Sequence, residues 1–209
     1  MLAGMTAETF WDNLYDERET WGDRVNPLLV ETAEPLPAGA ALDLGCGAGG
    51  DSLWLAQRGW QVTAVDISGT AVEKVGALEL VDGRQGSITA VRHDLSRTFP
   101  PGTFDLVSAQ YLQTPFDFPR SAVLRKAARA LRPGGLLLVV DHGSIAPWSW
   151  NQDPDAHFTP PSEIAAELEL DPEQYAVLRA DSPQREAVGP SGVTATVTDN
   201  VLLIQRSGR

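Results

Sequence analysis

Short, nearly continuous apolar runs recur along the chain and alternate with stretches of helical period. The runs are AALDL (40–44), VTAVD (62–66), ITAVRHD (88–94), FDLVSA (104–109) and LLLVVD (136–141). Strands that are apolar on successive rather than alternate positions belong in a parallel sheet covered on both faces. Between the first two runs, Ser52 to Arg58 predicts a helix stopped by Gly59, the residue type that ends helices in a left-handed conformation. Ser68 is placed to cap a second helix over Thr70 to Leu80. A third is expected from Pro119 to Leu131, with Ala122, Val123, Ala127 and Ala130 among its apolar residues and Pro133-Gly134-Gly135 ending it. This alternation over residues 40–141 specifies an α/β sheet with right-handed crossovers.

The flanks have a different pattern. Ser162 to Leu170 predicts a further helix, and residues 175–187 and 193–206 predict two long strands joined by Gly189-Pro190-Ser191-Gly192. VTATVTD alternates with period two, so these strands are expected as an antiparallel hairpin at the sheet edge. Residues 6–34 predict a helix carrying Phe10, Trp11, Leu14 and Tyr15, then the loop Trp21-Gly22-Asp23-Arg24. With no strand partner, this segment is expected to lie over one end of the sheet.

Composition narrows the class. The chain has 209 residues, 43% of them hydrophobic, which suits one soluble globular domain. A chain of this length buries roughly 70% of the surface its unfolded form exposes and needs no disulfide or metal for its core. Sixteen basic against 28 acidic residues leave a formal charge of −12, which argues against a broad grip on nucleic acid phosphates. Cys46 is the single cysteine, and the three histidines are scattered without ligand spacing, so neither an intrachain disulfide nor a metal site is expected. No apolar run approaches the roughly 18 residues of a membrane span, and the N-terminal segment lacks a basic and then apolar leader. A reducing, cytoplasmic compartment is the expectation.

The strongest chemical signal is Asp43-Leu44-Gly45-Cys46-Gly47-Ala48-Gly49-Gly50 at the end of the first strand. It satisfies GxGxxG through Gly45, Gly47 and Gly50, and Asp66 follows at the end of the second strand, as in a nucleotide site. Glycines there let the backbone approach a ligand, and a carboxylate at the second strand end accepts two hydrogen bonds from a ribose diol. Asp43 bears on which nucleoside is bound. A carboxylate directly before the turn repels a pyrophosphate but suits a ligand carrying an ammonium or sulfonium group. This favours S-adenosyl-L-methionine over NAD. A dinucleotide-binding oxidoreductase and a non-catalytic cofactor-binding domain are the competing readings.

ALDLGCGAGGDSLWLAQRGWQVTAVDIS (41–68) resembles the signature of class I S-adenosylmethionine-dependent methyltransferases. Further matches follow in order at His93-Asp94-Leu95, FDLVSAQYL (104–112) and LRPGGLLLVVDHG (131–143), so the resemblance spans about half of the chain. FWDNLYDERETWGDR resembles the cap of small bacterial methyltransferases of the tellurite-resistance and thiopurine type. The resemblance implies a Rossmann-like, doubly wound, mostly parallel sheet of about seven strands with a C-terminal antiparallel hairpin. A single domain is then expected, with residues 1–37 as helical cap and 38–209 as core.

Residue by residue, the resemblance implies that Gly45 and Gly47 frame the loop under the methionine and ribose, with the Cys46 backbone in the turn. Asp43 would lie near the amino group, Asp66 on the ribose hydroxyls and Ile67 on the adenine face. Asp94 would accept from the adenine amino group, with the Leu95 backbone beside it, or act only as a cap. His93 is expected to point away from Asp94 if the strand continues. Gln110 and Tyr111 either face the sulfonium and the acceptor or pack under the cap. His142, at the carboxyl edge of the fifth strand, is a general base or a brace for the following loop. Tyr111 and His142 are thus the candidate catalytic residues. Trp21 and Arg24 are candidate cofactor contacts, with a surface ion pair as the alternative for Arg24. Trp148 and Trp150 are candidate acceptor contacts, because aromatic faces enclose flat or cationic molecules and exclude water, with plain hydrophobic packing of the cap as the alternative. Where enzymes that methylate base amino groups carry Asn/Asp-Pro-Pro-Tyr, this chain reads Ala109-Gln110-Tyr111-Leu112. A small-molecule acceptor and a monomer or homodimer are therefore expected.

Overall fold

The structure is a computed structural model and describes residues 4–17, 24–80, 86–149, 152–189 and 191–208. Its strands are β1 (Ala40–Leu44), β2 (Gln61–Asp66), β3 (Ser87–Arg92), β4 (Phe104–Gln110), β5 (Leu131–His142), β6 (Tyr175–Asp181), β7 (Gln184–Val188) and β8 (Thr194–Arg206). They form one sheet in the order β3-β2-β1-β4-β5-β8-β6, with β7 also pairing with β8. The strands from β3 to β5 are parallel, and β8 runs antiparallel to β5. Strand order reverses between β1 and β4, where open α/β sheets leave a crevice at the carboxyl ends of their strands.

Period-two alternation within each run distributes side chains between two cores. Leu42, Leu44, Val107, Leu137 and Val139 join one cluster, with Val123, Leu124 and Ala127 of α5 (Arg120–Arg129) and Ile164 of α6 (Pro161–Glu167). Ala41, Leu106, Leu138 and Val140 join the other, with Leu28 and Leu29 of α2 (Pro27–Ala33), Leu55 of α3 (Gly50–Ala56) and Val75 of α4 (Gly69–Gly76). Both faces are therefore covered, which is why the runs read as nearly continuous.

Several details depart from the sequence expectations. The expected strand over 175–187 is two, β6 and β7, interrupted at Ser182-Pro183, where proline has no N–H to give to a ladder. β6 pairs with residues 201–206 of β8 and β7 with residues 194–198, so the sheet has eight strands. Helix α5 stops at Arg129, and Leu131 already belongs to β5, where a register shift opposite Phe104 and Leu106 takes up Pro133-Gly134-Gly135. Helix α4 ends at Gly76, short of Leu80. Helix α2 lies within a segment expected to hold a single helix. Its start carries two signals, Asn26 accepting from the Leu28 N–H as N-cap and Pro27 at the first position.

Helix α1 (Ala7–Glu17) is tied to the start of α4 and to the end of β3. Asp12 Oδ1 accepts from Ser68 Oγ at 2.7 Å and from the Thr70 N–H at 3.2 Å, and Lys74 Nζ donates to the Tyr15 carbonyl. Arg92 at the end of β3 pairs with Glu8. These contacts lay α1 across the carboxyl end of the sheet. Among the described residues, no helix is long and apolar enough to cross a membrane.

Candidate active site

The turn after β1 is built from glycines in the left-handed region: Gly45 has φ 74°, Gly47 52° and Gly49 87°. The Gly45 and Cys46 N–H groups donate to the Val65 carbonyl at 2.8 and 3.0 Å, which fixes the turn to the end of β2. Cys46 is buried, and burial followed by Asp43 and Asp66 pushes its thiol up, so it does not act as a nucleophile. Asp66 Oδ2 accepts from the Gly47 N–H at 3.1 Å and Oδ1 from the Ser68 N–H at 3.0 Å. Burial raises its pKa despite these bonds. Each oxygen retains acceptor capacity for a ligand hydroxyl.

Asp43 lies deeper, with 2% of its surface exposed. Its Oδ2 accepts from Ser52 Oγ at 2.6 Å. Next to Ser52, Asp51 Oδ1 accepts from the Asn26 N–H at 2.7 Å, Asn26 Nδ2 donates to Gln110 Oε1 at 2.8 Å, and Gln110 Nε2 donates to Ser108 Oγ at 2.9 Å. Desolvation raises both carboxyls, and Asp51 adds to the rise at Asp43.

A cavity of about 150 Å³ opens beside this turn. Gly45, Asp66, Ile67, Asp94, Leu95 and Tyr111 line it together, as do His93 and Ser96. The opposite wall comes from Trp11 and Tyr15 of α1 and from the segment 112–118. Trp11 Nε1 donates to Thr114 Oγ1 at 3.4 Å, and the Phe10 ring meets Trp11 and Phe116 edge-on at 5.2 and 5.6 Å. His93 and Asp94 share the cavity because β3 ends at Arg92, so strand alternation does not separate them. Asp94 is also engaged locally: Oδ1 accepts from the Ser96 N–H and Oγ, and Oδ2 pairs with Arg97 at 3.2 Å.

Past β4, Tyr111 adopts φ 52°, unusual for a non-glycine residue. Its hydroxyl donates to Asp199 Oδ1 at 2.9 Å and accepts from Arg185 Nη2 at 3.1 Å, while Arg185 Nε donates to Asp199 Oδ2 at 2.5 Å. The ring stacks on His142 at 4.2 Å and 18°. Burial and Asp199 hold the Tyr111 phenol well above its ordinary range, so it is neutral. Desolvation lowers the His142 pKa against the pull of Asp199, favouring the neutral imidazole. Arg120 joins this edge of the site to the cavity: Nη2 holds both Asp141 oxygens at 2.7 and 2.6 Å, and Nε donates to the Leu112 carbonyl at 3.0 Å.

Not every expected residue faces the cavity. Asp43, Cys46, Gly47, Gln110 and His142 do not line it. Arg24 meets the turn through its backbone, since a Cβ on Gly50 would lie 2.6 Å from the Arg24 carbonyl carbon, and the residue itself is exposed. Trp148 packs on the β7–β8 tip, where a Cβ on Gly189 would come within 2.5 Å of its ring. Trp21 and Trp150 lie outside the described residues. Arg185 and Asp199 went unnoticed in the sequence, because only the register that sets Asp199 opposite His142 brings them to Tyr111. Among the described residues, no group of three or more His, Cys, Asp or Glu is placed to hold a metal ion.

Comparison with known proteins fits this geometry. Residues 41–135 match the family described as methyltransferase domain. The chain is 35% identical over 132 residues to ribosomal RNA small subunit methyltransferase C of Alcanivorax borkumensis, covering 60% of this chain and 39% of that protein. It is 36% identical over 125 residues to 2-methyl-6-phytyl-1,4-hydroquinone methyltransferase of Synechocystis, covering 58% and 36%. The chain thus spans well under half the length of these two relatives. A magnesium protoporphyrin IX methyltransferase from Synechocystis, solved with S-adenosylmethionine bound, shares the fold over 98% of this chain and 99% of that one, with a TM-score of 0.62 and 19% identity. Residues 41–135 are a methyltransferase domain, and the chain as a whole has the fold of that structure.

Proposed function

We propose that this chain transfers the methyl group of S-adenosylmethionine to a small-molecule acceptor. The observation that carries the reading is Asp66: a buried carboxylate, set by the Gly47 and Ser68 amides, facing a cavity walled by Ile67 and Leu95. A ribose diol on Asp66 places a flat base between those apolar side chains, within reach of Asp94. The Asn26–Gln110–Ser108 chain of hydrogen bonds holds the Gln110 amide at the sulfonium end.

The cofactor, when bound, supplies an electrophilic methyl group. The protein's part is to align the acceptor in line with it and to keep water away, which alone supplies much of the acceleration. Trp11, Phe116 and Leu112 form an apolar wall suited to that exclusion. His142, neutral and stacked on Tyr111, takes the proton of an acceptor that must lose one. On this reading residues 1–37 cap a core of 38–209, and the chain works in the cytoplasm as a monomer or homodimer.

The ribosomal RNA relative supports a second reading with an RNA acceptor. The charge of −12 and the acids lining the cavity, Asp66, Asp94 and Asp117, oppose it. Calorimetric titration tests the main reading: S-adenosylhomocysteine is expected to bind at micromolar concentration and NADH not at all. Asp66→Ala should weaken that binding by about tenfold or more. Binding of NADH alone, or of neither compound, rejects it.

A further inference from the structure

We infer that Arg185 is a specificity-determining residue that holds a carboxylate of the methyl acceptor on the outward fork of its guanidinium, so that the acceptor is a small carboxylic acid. The inference rests on the proposed methyl transfer and names the chemical class of its acceptor.

Strand register brings the site together. Residues directly opposite in paired strands share a face, as do residues two apart in one strand. His142 stands opposite Asp199 and Arg185 opposite Val197, so His142, Asp199 and Arg185 line one face of the strip formed by β5, β8 and β7. Tyr111 reaches them because its φ of 52° turns the chain as β4 ends. A non-glycine residue keeps that conformation where its surroundings over-determine it, and such strain gathers at functional sites. Tyr111 also lines the cavity assigned to the cofactor, which puts Arg185 one side chain from that cavity.

The three polar side chains close a ring. The Tyr111 hydroxyl donates to Asp199 Oδ1 at 2.9 Å, Arg185 Nε donates to Asp199 Oδ2 at 2.5 Å, and Arg185 Nη2 donates to the Tyr111 oxygen at 3.1 Å. This ring occupies the side edge of the guanidinium, formed by Nε and Nη2. Of the five N–H groups of an arginine, the two on Nη1 and the second on Nη2 are left, and they make up the end fork whose spacing matches the two oxygens of a carboxylate. Among the described residues, Nη1 has no hydrogen-bond partner. The Arg185 side chain is 33% exposed and that of Asp199 1%, so the ring buries its acid and leaves its cation at the surface.

Charge then selects among anions. The guanidinium is already balanced by Asp199, the chain as a whole carries −12, and Asp66, Asp94 and Asp117 line the neighbouring cavity. An anion is therefore held by directed hydrogen bonds to the fork and is not drawn in by the surrounding field. A singly charged, planar carboxylate makes two such bonds at the least repulsion. A doubly charged phosphate makes the same two against about twice the repulsion.

Titration of the full chain, saturated with S-adenosylhomocysteine, with 2-naphthoate and with uncharged 2-naphthamide tests this by ligand-observed NMR. The expected result is binding of the carboxylate about tenfold or more tighter than the amide. Arg185→Lys keeps the charge and loses the fork, and should reduce the preference to about threefold or less. Arg185→Gln combined with Asp199→Asn removes both charges without stranding the buried carboxylate, and should abolish the preference while S-adenosylhomocysteine still binds. If that double variant does not fold, Arg185→Lys decides. Equal binding of the two probes, binding of neither, or a preference that survives in these variants overturns the carboxylate site alone. Failure of S-adenosylhomocysteine to bind the unaltered chain overturns the cofactor reading instead, and the inference with it.

Discussion

Helix α1 sets the Tyr15 hydroxyl over the glycine turn: a Cβ built on Gly47 would lie 2.9 Å from the Tyr15 oxygen. Tyr15 is 8% exposed, and burial together with Asp66, Cys46 and Asp43 holds its phenol far above the ordinary range. It is therefore a neutral hydroxyl enclosed by acids, and the cap is part of the site.

Gly47→Ala should be costly twice over. The residue has φ 52°, a conformation that strains a side chain by about 1–2 kcal/mol, and the new methyl group meets Tyr15. Urea unfolding should record a loss of that order, and titration a fall of about tenfold or more in affinity for S-adenosylhomocysteine. Adding Tyr15→Ala should relieve the contact but not the backbone strain. An unaltered affinity in the single variant would show that the turn does not approach the ligand.

Asp12→Ala should loosen the cap while sparing the sheet. Asp12 accepts from Ser68 and Thr70 at the start of α4, and loss of such a cap costs about 0.5–2 kcal/mol. Ser68 still caps α4 itself by accepting from the Ala71 N–H, so the loss should concentrate in α1. Hydrogen exchange is expected to rise in residues 7–17 and to stay constant in β1 and β4. Uniform acceleration across the domain would mean that α1 is integral to the core.

The stacked pair Tyr111 and His142 carries a pH signature. Because desolvation lowers the folded-state pKa of His142 below its unfolded value, its contribution to stability is complete above about pH 6.5 and is lost as pH falls toward the folded pKa. His142→Ala should flatten that limb in thermal unfolding. If His142 also takes the acceptor's proton, the acid limb of kcat/KM should vanish in the same variant. Methyl transfer that stays intact across pH removes it from catalysis and leaves it as a brace. Tyr111→Phe strips one partner from Asp199, which is 1% exposed, and should cost about 1–3 kcal/mol.

The sheet was legible because its central parallel strands β1, β4 and β5 are buried on both faces, so AALDL and LLLVVD announce themselves without any knowledge of their neighbours. The glycine turn and Asp66 were legible for a related reason: both sit at strand ends within one βαβ unit, close in sequence. Helix α2 was readable from Asn26-Pro27 but was absorbed into a longer amphipathic stretch. The break between β6 and β7 depends on Pro183, whose effect is felt only once β8 is known to serve two partners. Arg185 and Asp199 were beyond reach, because their meeting with Tyr111 is a matter of register across strands far apart in the chain. Trp148 was read from its place in a segment expected over the site, either as a wall for the acceptor or as packing, and Gly189 leaves room for its ring on the hairpin tip.

The register that sets Asp199 opposite His142 also joins residues from inside and outside the matched segment. Asp43, Asp66 and Asp94 fall inside the segment 41–135 that matches the methyltransferase domain family, whereas His142, Arg185 and Asp199 fall outside it. Substitutions in β7 and β8 therefore change the partners of the Tyr111 hydroxyl while every residue of the matched segment is kept.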